Sequence, residues 1–174
     1  MRPDGLRELG AALLIPMHDA AGRLWSLQSI FPDGSKRFAR GGRCDGMMWG
    51  RGDPGAAIAI GEGAATMAAV RAATGLCSFA AFSSGNLAAV ARAVRSRWPA
   101  ACLILCADYD AGRVPNIGVE VANAAARAVG GLVARPPRPP RWPDGKGWDY
   151  ADTMIAPGGA EAIRRALKIK NGGA

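Results

Sequence analysis

The sequence predicts an α/β fold: a mostly parallel sheet of about four strands with flanking helices, preceded by a small antiparallel β lobe. Three observations predict it. From residue 56 onward, short and almost wholly apolar runs ("AAIAIG", "CSFAAF", "ACLILCAD", "LVARPP") alternate with alanine-rich stretches of helical spacing. That rhythm belongs to parallel βαβ units whose sheet is covered on both faces. Before residue 50 the runs are shorter, alternate apolar with polar, and break at the turn pairs "DAAG" and "PDGS", as antiparallel strands joined by tight connections do. Between the two textures lies "GRGDPG", residues 50–55, which reads as a linker and divides the chain into a β-rich basic lobe, 1–50, and an α/β domain, 51–174.

The elements follow in order. Lobe strands are expected near 12–17, 24–31 and 36–39. In the larger part, "AATMAAVRAATG" is a helix closed by Gly75, "SSGNLAAVARAVRSRW" a second and "NIGVEVANAAARAVGG" a third, each returning the chain to the next parallel strand. The segment "RPPRPPRWPDGKG", 135–147, is the one compositionally biased stretch; its prolines forbid helix and central strand and make it a stiff surface loop.

Composition narrows the function. Lys+Arg 22 against Asp+Glu 14 gives a formal charge of +8 and a pI near 10.0, which points to a polyanionic partner or to a merely basic surface. No apolar run is long enough for a membrane span, the N-terminus lacks a signal-peptide pattern, and a cytoplasmic location is expected. The four cysteines form no CxxC pair and the chain has one histidine, so neither a zinc module nor a disulfide framework is indicated. Cys102 and Cys106, inside an apolar run, are expected to be buried.

Ligands of open α/β sheets bind beyond the carboxyl ends of the strands. Two acidic sequences fall at such ends: Glu62 after "AIAIG", and Asp108 with Asp110 after "LILCA". Two residues apart in an extended chain, Asp108 and Asp110 project to one side. Carboxylates gathered on one rim raise one another's pKa unless a cation neutralises them, and a hard divalent ion, Mg²⁺ or Mn²⁺, suits such oxygen donors. The alternative is that these acids are helix caps or solvated loop charges.

"IAIGEGAATMAA" followed by "LILCADYDAGRVPNIGVEVANAAA" resembles the Toprim domain, the Rossmann-type unit of primases, topoisomerases, some nucleases and recombination proteins. The resemblance implies a metal site in which Glu62 is the strand-end glutamate and Asp108 and Asp110 the DxD. It departs from bacterial primases at Thr66, where they carry an aspartate, so a metal contact there is in doubt. "DGKGWDYADTM" is similar to the segment closing the site in plasmid and phage primases, which offers Asp149 and Asp152 for a further metal or its water shell, or as helix caps, and Lys146 for phosphate. The preceding lobe, with "KRF…GG", looks like that of mobile-element primases, which implies that Lys36, Arg37, Arg40 and Arg43 face the metals. Trp25, Phe31, Phe38 and Trp49 either stack a base or fill the lobe's core.

On this resemblance the chain is the catalytic core of a DNA primase, joining ribonucleoside triphosphates into an RNA primer on a single-stranded DNA template. A zinc-binding template reader and a helicase motor, whose motifs this sequence lacks, are then expected on separate domains or proteins. The alternatives are a non-catalytic Toprim scaffold that binds nucleic acid, a metal-dependent Toprim nuclease, and a haloacid-dehalogenase-like phosphatase, to whose DxDxT loop "DYDAG" is also similar.

Overall fold

A computed structural model of the protein describes residues 6–168. The first four strands, β1 (Arg7–Leu9), β2 (Ala12–His18), β3 (Leu24–Ile30) and β4 (Lys36–Phe38), form an antiparallel sheet in chain order. The β2–β3 and β3–β4 turns are those read from "DAAG" and "PDGS": Gly22 N donates to Asp19 O, and Gly34 N to Phe31 O. Asp19 and Asp33 brace them by accepting backbone N–H groups, the usual use of aspartate at a turn.

The second sheet has five strands in the order β5-β7-β6-β8-β9: β5 (Trp49–Arg51), β6 (Ala57–Gly61), β7 (Cys77–Ala80), β8 (Cys102–Cys106) and β9 (Leu132–Ala134). Four are parallel and β5 is an antiparallel edge. The stretch expected as a linker therefore begins inside a strand, and Trp49–Arg51 ties the lobe into the larger sheet. Gly50 is required there, because a Cβ would lie 2.2 Å from Ser78 O and 2.3 Å from the Phe79 ring.

The helices are α1 (Ala64–Thr74), α2 (Ser84–Arg97), α3 (Ile117–Val129), α4 (Tyr150–Ile155) and α5 (Gly159–Ala166). Each strand of the centre divides its side chains between two cores. Ile58, Ile60, Leu103 and Leu105 pack with Leu87, Val90, Val119 and Ala122 of α2 and α3. On the other face Ala59, Ile104 and Cys106 pack with Met67 and Val70 of α1, Tyr150, Ile163, and Ile15 and Met17 from the lobe. The lobe thus shares a core with the α/β unit, and Trp49 lies inside it, 8% exposed. Cys106 is buried as expected; Cys102 is exposed, because it opens β8 beyond the cover of the helices.

One polar residue fastens the junction. Asn86, in the first turn of α2, is buried, donates to the carbonyls of Cys44, Met47 and Ala81 at 2.8–3.1 Å, and accepts from Gly46 N at 2.7 Å. A buried amide with its donors and acceptor all engaged fixes a unique arrangement of the segments it joins.

Candidate metal and nucleotide site

β6 and β8 are adjacent and parallel, with Gly61 opposite Cys106, so Glu62 and Asp108 emerge side by side at the carboxyl end of the sheet. The turn after β6 must be tight: a Cβ on Gly61 would meet Met67 Sδ at 2.5 Å and Cys106 O at 3.1 Å. Burial raises the pKa of Glu62, and the nearby Asp110 carboxylate adds to the rise; a backbone hydrogen bond from Ser84, at the start of α2, and the charge of Lys36 oppose it.

Asp108 is the most perturbed acid. Burial, then the charges of Asp149, Glu62 and Asp110, push its pKa up to about 7, with Lys36 pulling the other way. Its Oδ1 is buried without a hydrogen-bond partner. A buried carboxylate oxygen with no donor is expensive to leave unpaired. Asp110 Oδ2 accepts from Gly118 N at 2.9 Å, and Asn116, the N-cap of α3, bonds the Asp110 backbone in both directions. Gly118 is what admits this approach, since a Cβ there would lie 2.5 Å from Asp108 O.

Asp149 and Asp152 take the capping alternative. Asp149 Oδ1 accepts from Ala151 N (2.7 Å) and Asp152 N (2.9 Å), while Asp152 Oδ2 accepts from Asp149 N (3.2 Å), a reciprocal capping box at the start of α4. Asp149 Oδ2 accepts from Thr66 Oγ1 at 2.8 Å. The departure at Thr66 thus acquires a role: a buried hydroxyl of α1 holds the Asp149 carboxylate beside Asp108. The sequence marked position 66 as unusual but carried no sign of this partner 83 residues away.

The four acids influence one another without closing a cage: among the described residues no group of three or more His, Cys, Asp or Glu side chains converges as a ready-made metal site. An ion that keeps several waters, as Mg²⁺ does, needs only one or two carboxylates plus substrate phosphates. The orphaned Asp108 Oδ1 is the donor that such an ion would satisfy.

Of the predicted basic residues, Lys36 on β4 comes close enough to act on both Glu62 and Asp108. The others meet aromatic rings or solvent. Arg37 lies over the Phe31 ring (5.3 Å), Arg43 over Trp25 (5.4 Å), and Arg40 is exposed. Phe38 meets Phe82 edge-on at 6.4 Å, and Trp25 donates its indole N–H to Asp19 (2.8 Å). Lys146 lies over the Trp142 ring at 4.4 Å in the proline-rich loop. Asn86 and Ser84 went unrecognised in the sequence. The available signal for Asn86 was an amide in the first turn of α2, one residue before the apolar face that begins at Leu87.

Fold and site together define an α/β protein with an acidic rim at its strand ends, within electrostatic reach of Lys36 from an attached β lobe. The chain belongs to the Toprim domain family, which matches residues 57–160. Two proteins named DNA primase TraC, both from Escherichia coli, are 41% and 40% identical to it over 136 residues, 73% of this chain. The chain spans 9% and 13% of their lengths. Among solved structures, the primase fragment of the bacteriophage T7 primase-helicase superposes with a TM-score of 0.65 at 16% identity, over 93% of this chain and 66% of that one. The RNA polymerase domain of Mycobacterium tuberculosis primase DnaG gives 0.57 at 18%, over 94% and 59%. These likenesses cover the lobe as well as the parallel sheet, so the two-sheet arrangement is itself shared.

Proposed function

We propose that this chain is the catalytic core of a DNA primase, making RNA primers on single-stranded DNA with Mg²⁺ or Mn²⁺. The observation that carries the reading is the acidic rim itself: Glu62 and Asp108 follow adjacent parallel strand ends, and Asp108 Oδ1 is buried without a partner, with Lys36 of the other sheet acting on both charges. The TraC relatives and the primase-type fold support it.

Glu62, Asp108 and Asp110 would hold the metal. When bound, it lowers the pKa of the attacking 3′-hydroxyl and offsets charge on the phosphates. Asp149, held by Thr66, adds negative charge beside Asp108. Lys36, whose charge acts on Glu62 and Asp108, would neutralise triphosphate oxygens, with Arg37, Arg40, Arg43 and Lys146 as outlying contacts for nucleotide or template phosphate. In the reaction a 3′-oxygen forms a bond to the α-phosphorus, the bond to the bridging oxygen breaks, and pyrophosphate leaves. The hydroxyl proton passes to a carboxylate of the rim. Glu62, with its proton affinity raised by burial, is suited to receive it. A zinc-binding template reader and a helicase, on the same polypeptide or on others, are the expected partners.

The test is incorporation of labelled ribonucleotides on a single-stranded template, with and without Mn²⁺. Glu62→Gln should lower dinucleotide formation by roughly a hundredfold or more, the scale of a lost acid–base group. Incorporation unchanged by that substitution would overturn the reading, and metal-dependent degradation of the template in place of extension would replace it with the nuclease.

A further inference from the structure

The loop 135–147 repeats arginine at every third position, "RPPRPPR". In a polyproline II helix, with three residues per turn and a rise near 3.1 Å, such residues share one edge at intervals of about 9 Å. The burial pattern keeps the same period: Arg135 and Arg138 are exposed while Pro136 and Pro139 are buried. Arg141 is exposed as well, and its φ of 57° turns the chain out of the run.

The loop is pinned to the fold. Trp148 Nε1 donates to Pro136 O (2.9 Å), Thr153 Oγ1 to Pro137 O (2.7 Å), and Trp142 Nε1 to the carbonyls of Lys146 and Gly147 (3.1 Å each). Both ends of the loop meet the acidic rim. At one end Ala107 N donates to Ala134 O; at the other, Tyr109 and Trp148 exchange backbone hydrogen bonds at 3.0 Å. The loop follows β9, while the basic lobe adjoins β5 and β7. The acids, at the ends of β6 and β8, therefore lie between two basic flanks.

We infer that this arginine edge, together with Arg113 from the facing loop, is a second contact for single-stranded nucleic acid, gripping the phosphodiester backbone on the side of the acids away from the lobe. The inference rests on the proposed function for its choice of polyanion. Within residues 135–147 four cations (Arg135, Arg138, Arg141, Lys146) stand against one carboxylate, Asp144, which is paired with Arg138, and Arg113 is exposed on the loop after the DxD. Among the described residues no carboxylate pairs with Arg113, Arg135 or Arg141. Pro-rich segments with this spacing also serve as ligands for aromatic-lined peptide-binding domains, but that mode needs the proline rings, and here Pro136 and Pro139 are turned into the protein. Base stacking is not offered either: Trp148 is covered by Tyr109 and Arg138, and Trp142 by Lys146. What remains exposed is charge on a rigid support, which binds phosphate without sequence preference and with little ordering cost.

The experiment is binding of a labelled oligothymidylate to the chain across a salt series, without divalent metal or nucleotide, so that its outcome does not depend on catalysis. The triple variant Arg113→Gln/Arg135→Gln/Arg141→Gln should keep the wild-type melting temperature and flatten the slope of log K against log salt by about 2, three contacts at roughly 0.7 each. Asp144→Asn should tighten binding. An unchanged slope in the triple variant would overturn the inference, whether or not the chain makes primers. So would an effect confined to displacement by free triphosphate, or to capture of a peptide-binding domain.

Discussion

Asp108 concentrates the electrostatic tension of the molecule. Its unfolded carboxyl releases a proton near 3.8, whereas the folded one holds it to about 7 because of burial and its acidic neighbours. Between those values the folded chain binds more protons than the unfolded chain, so this group makes stability fall as pH rises. Its stabilising proton is fully present below the lower value and lost above the upper. Glu62, whose pKa is also raised, acts with the same sign. In metal-free buffer the melting temperature of Asp108→Asn should match wild type near about pH 4 and exceed it near about pH 8. Parallel curves would mean that Asp108 is ionised in the fold at no cost. The strand-end positions of Glu62 and the DxD were legible in the sequence because they depend on local context alone: an apolar run, its end, and a spacing of two. The Thr66–Asp149 bond was not, since no local pattern announces a partner on another helix.

At the scale of elements, the strands and helices that could be read were those long enough to show a period or bounded by a clear turn or helix. Helices α1, α2 and α3 and strands β2, β3, β6, β7 and β8 all emerged from the alternation of apolar runs and breakers. β1 and β5 did not. Each has three residues and no turn or helix read before it, unlike the equally short β4 and β9, which were read from the turn before the one and the helix before the other; β5 exists because β7 offers it an edge. The last helical stretch divides into α4 and α5 around Pro157 and Gly158, whose φ of 73° suits glycine. The joint between lobe and sheet was likewise invisible, because it rests on Asn86. Asn86→Ala would strand Gly46 N and leave the carbonyls of Cys44, Met47 and Ala81 short of a donor. It should destabilise the protein by at least about 2 kcal/mol, with faster amide exchange concentrated in residues 44–48. A loss within about 0.5 kcal/mol of wild type, or exchange unchanged there, would show that the joint is held by apolar packing instead.

Around the carboxyl ends of the parallel strands, basic residues stand on both sides of the acidic rim, and further exposed arginines (Arg71, Arg92, Arg97, Arg127) lie on α1, α2 and α3. The lobe supplies Lys36 and the exposed arginines beyond it, the central strands supply Glu62, Asp108 and Asp110, and the loop after β9 supplies a spaced row of guanidinium groups. A net charge of +8 is thus the sum of opposed regions, which composition could not distinguish from a uniformly basic surface. No helix among the described residues is long and apolar enough to cross a membrane.

The central claim is that the acidic rim is built for a divalent cation, and a thermal melt in the presence and absence of Mn²⁺ tests it most directly. Carboxylates that repel one another in the metal-free fold gain from an ion by mass action, about 2.7 kcal/mol at a hundredfold excess over the dissociation constant. The wild-type chain should therefore melt at a higher temperature with Mn²⁺. Asp108→Asn, which removes the charge and alters the orphaned oxygen, should lose most of that increase while keeping its fold. Equal shifts in the two proteins would contradict the account and return the strand-end aspartates to the role of loop caps.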